Sequence, residues 1–232
     1  IDPQNQEQTV INEVGPQITR AELARFNRTY HRACRNTKLI ILSGSLPPGV
    51  PHDTYYKLIQ TARTAGIPCV LDSSGAALRA GIKAQPIAIK PNLTEFYQLV
   101  DKPIPAKLNI TEIIKTIQSQ PDLAAVKYIL ISLGKTGALV VHNTPEGIKW
   151  VLARAPQVQV VSAVGSGDAT TAGLAYSIYH NLSWDKLIKF SIACGTANTL
   201  TAKPGECSLS AIQRIYPTIK FQLKSTVQKN QC

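Results

Sequence analysis

Methionine is absent from the 232-residue chain, so Ile1 is not expected to be a translation start. The chain reads as processed, cut or only partly represented. No apolar run approaches the ~20 residues of a membrane-spanning helix, and no charged-then-apolar leader opens the sequence. A soluble, cytoplasmic protein is expected, with no membrane partner. Cysteine is sparse: five residues, an odd number, with no C-x-x-C pair, which argues against a disulfide framework. Cys69 and Cys194 sit inside apolar segments and read as reduced core thiols. The four histidines, His31, His52, His142 and His180, are too scattered for a metal cluster and read as solvent-facing or loop residues. Acidic residues are few, 14 against 25 basic, giving a net charge of +11. That balance favours anionic partners such as nucleotides and sugar phosphates. It would also suit nucleic acid, but there is no dense Lys/Arg run or binding motif, so no nucleic-acid partner is expected. Gly134-Lys135-Thr136 mimics the end of a P-loop, yet that motif would need glycine where Ile129 stands.

With 44% hydrophobic residues the chain can bury one sizeable core, and a single domain over residues 1–232 is expected. Residues 1–10 read as a frayed entry. Thr19-Arg20-Ala21-Glu22 has the capping-box pattern and predicts a helix to about Asn36. Strands follow at 38–42, 67–72 and 87–90, alternating with helices at about 54–65, which Asp53 is expected to cap, 76–82 and 93–100. After a Pro-interrupted link comes a helix over about 109–119. Tyr128–Leu133 and Ala138–His142 predict a hairpin, and Lys149–Ala153 a further strand. Helices at about 167–180, 184–200 and 208–214 precede a basic tail. Strands alternating with helices predict an α/β protein with a largely parallel sheet.

Ligands of open parallel sheets bind beyond the carboxyl ends of the strands. Five polar or Gly-rich stretches fall at such ends: Ser43-Gly44-Ser45, Asp72-Ser73-Ser74-Gly75, Lys90-Pro91-Asn92, Ser132-Leu133-Gly134 and Gly165-Ser166-Gly167-Asp168. The last organises the others. The apolar run Val160–Val164 could be a strand, and it leads into a glycine turn and a helical pattern at Ala172, Leu174, Ala175 and Ile178. Glycines at a helix mouth let N–H groups approach an anion, and the helix dipole favours a phosphate there. Asp168 would lie in the first turn, a general base beside an anion hole, as phosphoryl transfer to a hydroxyl requires. A flexible helix start with a capping Asp is the plainer alternative. Asn92 and Glu95 point the same way at i, i+3 spacing. They suit water-mediated Mg²⁺ binding, or equally an N-cap with a first-turn Glu.

The pattern V-x-x-x-G-x-G-D-x-x-x-A-G, starting at Val161, resembles the C-terminal signature of the ribokinase/PfkB carbohydrate kinases. The Gly-Ser-Gly-Asp spelling after Val160-Val161-Ser162 is similar to the 1-phosphofructokinase and tagatose-6-phosphate kinase branch. Further matches follow in family order: Ser43-Gly-Ser-Leu-Pro-Pro-Gly49, Asp72, Asn92-x-x-Glu95 after Lys90-Pro91, and Ser132-Leu-Gly-Lys-Thr-Gly137. The resemblance implies a ribokinase-like sheet with helices on both faces, ATP and Mg²⁺ as cofactors, a sugar phosphate as substrate and a homodimer as an oligomeric option. It implies that Asp168 is the base and that Gly165, Ser166 and Gly167 form the anion hole. Lys90, Asn92, Ser132, Gly134, Gly137, Thr196 and Asn198 would contact or line the nucleotide site. Ser43 and Gly44 would lie near the sugar, and Asp72, Asn92 and Glu95 near the metal.

Two departures accompany it. The family's opening portion, with the first strands, a sugar-gripping Asp and a small β-lid, has no counterpart in this sequence. The chain alone is therefore expected to bind Mg·ATP without being a competent sugar kinase. Where the phosphosugar branch usually carries Lys or Arg, two residues before Asn12-Glu13, this chain has Val10.

Overall fold

The computed structural model describes residues 15–227; Val10 and the Ile11–Val14 segment lie outside them. Seven strands form one sheet in the order β1 to β7. They are β1 (Ile40–Ser43), β2 (Cys69–Asp72), β3 (Ala88–Ile89), β4 (Tyr128–Ser132), β5 (Ala138–Thr144), β6 (Gly147–Arg154) and β7 (Lys220–Val227). Pairing is parallel from β1 to β4 and antiparallel from β4 to β7. The sheet is therefore mixed, and its antiparallel half starts at the expected hairpin.

Strands β2, β3 and β4 are apolar without alternation because both of their faces are covered, whereas β1, at the sheet's edge, leaves Ile41 exposed. Neighbouring residues part to opposite sides. Leu71, Ile89, Ile129 and Ile131 join one buried cluster with residues of α2 (Thr54–Thr64), α3 (Gly75–Gly81), α4 (Leu93–Leu99), α5 (Ile110–Ser119) and α6 (Pro121–Ala124). Val70, Ala88 and Leu130 join the other, under α7 (Ser166–Tyr179), α8 (Trp184–Asn198) and α9 (Leu209–Ile215). Ahead of all these, α1 (Arg20–Cys34) starts at the expected capping box: Glu22 N–H donates to Thr19 Oγ1, and Thr19 N–H donates back to Glu22 Oε2.

Four readings of the sequence change. Residues 160–164 form no strand. Val160 is 57% exposed and Val161 46%, because β6 is already paired on both sides and leaves no edge to join. The sheet takes in the basic tail instead, as β7, whose register sets Phe221 against Ala153 and Lys220 against Arg154; its lysines hide the strand pattern in the sequence. Asp53 stands at the N-cap of α2 but makes no capping bond; its Oδ2 pairs with Lys57 at 2.8 Å. His142 is no loop residue. It lies on β5 in a three-ring cluster with Tyr128 and Trp184, their centroids 4.6 and 5.2 Å away and 6.2 Å from each other. Burial, and then Lys127 and Lys149, push its pKa down to about 4. Cys69 and Cys194 are buried free thiols, as expected, and burial pushes both up to about 12.

Candidate active site

Because β1 to β4 run parallel, the stretches after Ser43, Asp72, Ile89 and Ser132 emerge at one edge of the sheet. They are tied to one another there. Gly44 N–H donates to Asp72 O at 2.9 Å, and Ser73 Oγ donates to Gly44 O at 2.9 Å. The Tyr55 hydroxyl, reaching from α2, lies 3.2 Å from Ser43 O and 3.1 Å from Gly44 O. Burial, then the charge of Asp72, raises its pKa. Ser43 and Gly44 are exposed on this brace, and Gly44, at φ +97°, has open space where a Cβ would be.

Asn92 begins α4 beside the end of β4: it bridges Ser132 in parallel fashion, and Ser132 N–H donates to Pro91 O at 3.0 Å. The structure adopts the capping reading of Asn92 and Glu95. Glu95 N–H donates to Asn92 Oδ1, and Asn92 N–H to Glu95 Oε2, both at 2.8 Å. The box engages one oxygen of each side chain and leaves Glu95 Oε1 outside it. Among the described residues no three His, Cys, Asp or Glu side chains gather into a metal cage. Mg²⁺ commonly keeps several waters and is held by one or two carboxylates plus substrate phosphates, and a rigid, outward Glu95 fits that kind of hold.

The β4–β5 hairpin turns through a short 3₁₀ segment, Gly134–Thr136, with Gly134 at φ +59° and exposed. Gly137 closes the turn at φ +111°, and any Cβ there would lie 2.0 Å from Ala153 O.

α7 supplies the fifth element. Gly165 is its N-cap, left-handed at φ +82°, and no side chain caps the helix. Ser166 N–H is taken by Ala163 O, and Ala169 N–H starts the helix ladder at Gly165 O. The N–H groups of Gly167 and Asp168 lie between those two bonds, where an anion can accept from them. Gly165 is pressed against another backbone: a Cβ on it would lie 2.2 Å from Gly205 N and 2.9 Å from Pro204 C. Asn198 fixes that opposing loop, donating from Nδ2 to Lys203 O at 3.2 Å and Glu206 O at 2.9 Å.

Asp168 is exposed in the first turn of α7. The ion-paired carboxylates among the described residues are Asp53, Asp72, Asp101, Glu112 and Glu206, and Asp168 is not one of them. Behind it, Asp72 Oδ1 pairs with Lys90 Nζ at 3.2 Å, and Asp72 Oδ2 accepts from Thr171 Oγ1 at 2.6 Å. Lys90 Nζ lies 3.4 Å from where a Cβ of Gly167 would be. The pair Asp72–Lys90 thus stands directly under the glycine turn, joining β2 and the end of β3 to α7.

Not every expected residue reaches the surface of this site. Thr196 is buried and Asn198 is fully buried in α8, so Asn198 acts from behind the Gly165 turn rather than on a ligand. Lys90, at 6% exposure, lies inside the wall as well. Sequence reasoning passed over Thr171, Gly195 and Gly205. Gly195 lets α8 close on α7, since a Cβ there would lie 2.1 Å from Thr170 Oγ1; a glycine in mid-helix was the signal. A cavity of about 450 Å³ lies elsewhere, lined by Lys38, Leu39, Pro68, Ile178, Tyr179 and His180. It shares no residue with the site.

The pfkB family carbohydrate kinase model matches residues 2–211. Among solved structures, phosphofructokinase-2 from Escherichia coli in complex with potassium is 28% identical at a TM-score of 0.80, over 91% of this chain and 66% of its own. The same enzyme in complex with fructose-6-phosphate is similar at 27% and 0.77, over 93% and 67%. A Thermotoga maritima protein described as a possible 1-phosphofructokinase shares the fold at 23% identity and a TM-score of 0.76, over 94% and 67%. The chain thus spans about two thirds of the length of these structures, and 66% of the first.

Proposed function

The chain belongs to the pfkB family of carbohydrate kinases, and from that premise we propose that it serves ATP-dependent phosphotransfer to a hydroxyl of a sugar phosphate. Fructose 1-phosphate, fructose 6-phosphate and tagatose 6-phosphate define the acceptor class. One observation carries the reading: an uncapped helix start, with a free carboxylate in its first turn, faces the carboxyl edge of the sheet above a buried lysine.

In this reading Asp168 takes the proton from the acceptor hydroxyl as its oxygen bonds the γ-phosphorus and the bond to the β,γ-bridging oxygen breaks, releasing ADP. The Gly165–Gly167 turn forms the anion hole: Gly165 and Ser166 shape it, Ser166 N–H being held by Ala163 O, and the N–H groups of Gly167 and Asp168 stabilise charge on the transferring group. Fixed donors of this kind are worth about 2.7–4 kcal/mol each where they have been removed from other enzymes. Ser132, Gly134 and Gly137 shape the nucleotide side, and Thr196 and Asn198 back it. Ser43 and Gly44 face the sugar. Asn92 and Glu95, with Asp72 behind them, would hold Mg²⁺ through water; bound there, the ion neutralises phosphate charge. A homodimer is the oligomeric expectation, open to sedimentation analysis.

Titration calorimetry with Mg·ATP tests the nucleotide half, and a folded sample that binds none would sink it. A coupled assay over the three sugar phosphates and free hexoses tests the acceptor. The span of about two thirds of the neighbours' length favours a second reading for the chain alone, nucleotide binding without turnover. Binding with no turnover on any acceptor is its signature.

A further inference from the structure

Thr171 lies inside α7, one turn after Asp168, and is 2% exposed. Its hydroxyl carries one proton and has two acceptors in reach, Asp72 Oδ2 at 2.6 Å and Gly167 O at 3.1 Å. A threonine within a helix commonly turns back to the carbonyl four residues earlier. Here the carboxylate is closer and charged, and a charge-assisted bond is about twice as strong as a neutral one, so the proton goes to Asp72. The other oxygen of Asp72 holds Lys90 Nζ at 3.2 Å, and that ammonium sits against Gly167.

The cluster is poorly explained as a fastener. Burying an ion pair costs desolvation that its attraction barely repays, and apolar residues of similar volume commonly stabilise as well or better. α7 is already held on the sheet and on α8 by Leu174, Ala175 and the close approach of Gly173 to Ser191. What apolar residues could not supply is a fixed positive charge under an anion-binding turn. A lysine stem has four rotatable carbons, so its head needs an anchor if the charge is to stay in one place. Asp72 is that anchor, and Thr171 stops the Asp72 carboxylate from rotating away.

We infer that Thr171 is a positioning residue: through Asp72 it fixes the Lys90 ammonium beneath the Gly165–Gly167 turn, so that the turn presents a preset charge to a phosphate. The inference rests on the nucleotide site proposed above and adds to it a residue that touches no ligand. Gly167 has a matching reason to lack a side chain, since a Cβ would press to 3.4 Å of the ammonium.

The test compares Thr171→Val, which keeps the volume and removes the hydroxyl, with Thr171→Ser, which restores it. Two readouts are needed: Mg·ATP affinity by calorimetry, and the ¹H–¹⁵N signal of the Lys90 ammonium, identified by its loss in Lys90→Met. Thr171→Val should weaken Mg·ATP by about 5- to 20-fold, the range of one charged hydrogen bond's worth of misplacement, and should shift or abolish the Lys90 signal. Thr171→Ser should restore both to within about twofold, consistent with a hydroxyl role rather than a packing role. Unchanged affinity and signal in Thr171→Val would overturn the inference. So would a serine variant as impaired as the valine one. If folded wild-type chain binds no Mg·ATP, the nucleotide reading falls, and the Lys90 signal alone decides whether Thr171 positions that charge.

Discussion

Gly165→Ala is the substitution from which most can be computed. Gly165 has φ +82°, and its would-be Cβ lies 2.2 Å from Gly205 N and 2.9 Å from Pro204 C and Cα. Two costs therefore add. The left-handed conformation costs a non-glycine residue about 1–2 kcal/mol. The clash is with backbone, which cannot rotate aside, and overpacking of that kind costs about 1–3 kcal/mol. Gly66→Ala separates the two: Gly66 also has positive φ, +72°, but nothing lies within 4 Å of its Cβ direction. Gly66→Ala should lose only the first cost, and Gly165→Ala about twice as much or more. At this chain length each kcal/mol lowers Tm by about 2–4 °C. Thermal unfolding of both variants reads the stability. Calorimetry with Mg·ATP should find the nucleotide site weakened in Gly165→Ala and intact in Gly66→Ala. Equal losses of Tm in the two variants, with equal affinities, would refute the claim that the turn is clamped between α7 and the Pro204–Gly205 loop.

Asp168→Asn keeps shape and removes the base, so kcat in a form that turns over should fall about 10²–10⁴-fold while Mg·ATP affinity stays close to wild type; parallel losses would make Asp168 a binding residue. Asn198→Leu deprives Lys203 O and Glu206 O of their donor. It should cost about 1–3 kcal/mol in urea unfolding and weaken Mg·ATP by releasing Gly205 from Gly165. His142 gives a pH dependence. Its folded pKa, about 4, lies below the ordinary imidazole value of 6.5, so the folded state binds fewer protons than the unfolded one. Its contribution is present above pH 6.5 and is lost as pH falls from there to about 4, by about 1 kcal/mol after discounting for its partial exposure. His142→Phe should flatten Tm against pH across that window, and an unchanged slope would place the titration elsewhere.

The sequence carried the fold where local chemistry and tertiary demand agree. The capping box at Thr19–Glu22, the unbroken apolar runs of β2 and β4, and the glycine turn before α7 all read correctly, because each carries its signal within a few residues. It misled where pairing is decided at a distance. Val160–Val164 has strand composition, but β6 ahead of it is already paired on both sides, whereas Lys220–Val227 has a partner in β6 that its lysines do not advertise. The same division runs through the site. Loops at strand ends were visible, since a parallel half-sheet sends them all to one edge. The Asp72–Thr171 contact spans 99 residues, and nothing local to either residue announces it. Asn198 shows the converse: a residue assigned to a pocket lining proves to be a buried brace, because its amide meets two carbonyls of a loop five to eight residues on.

An amide-by-amide NMR titration of the folded chain with Mg·ATP tests the central claim most directly. The account predicts shifts at Ser132–Gly137 and at Gly165–Asp168, and none at Lys38, Tyr179 and His180 around the distant cavity. Shifts confined to that cavity, or no shifts at all from a folded sample, would contradict it.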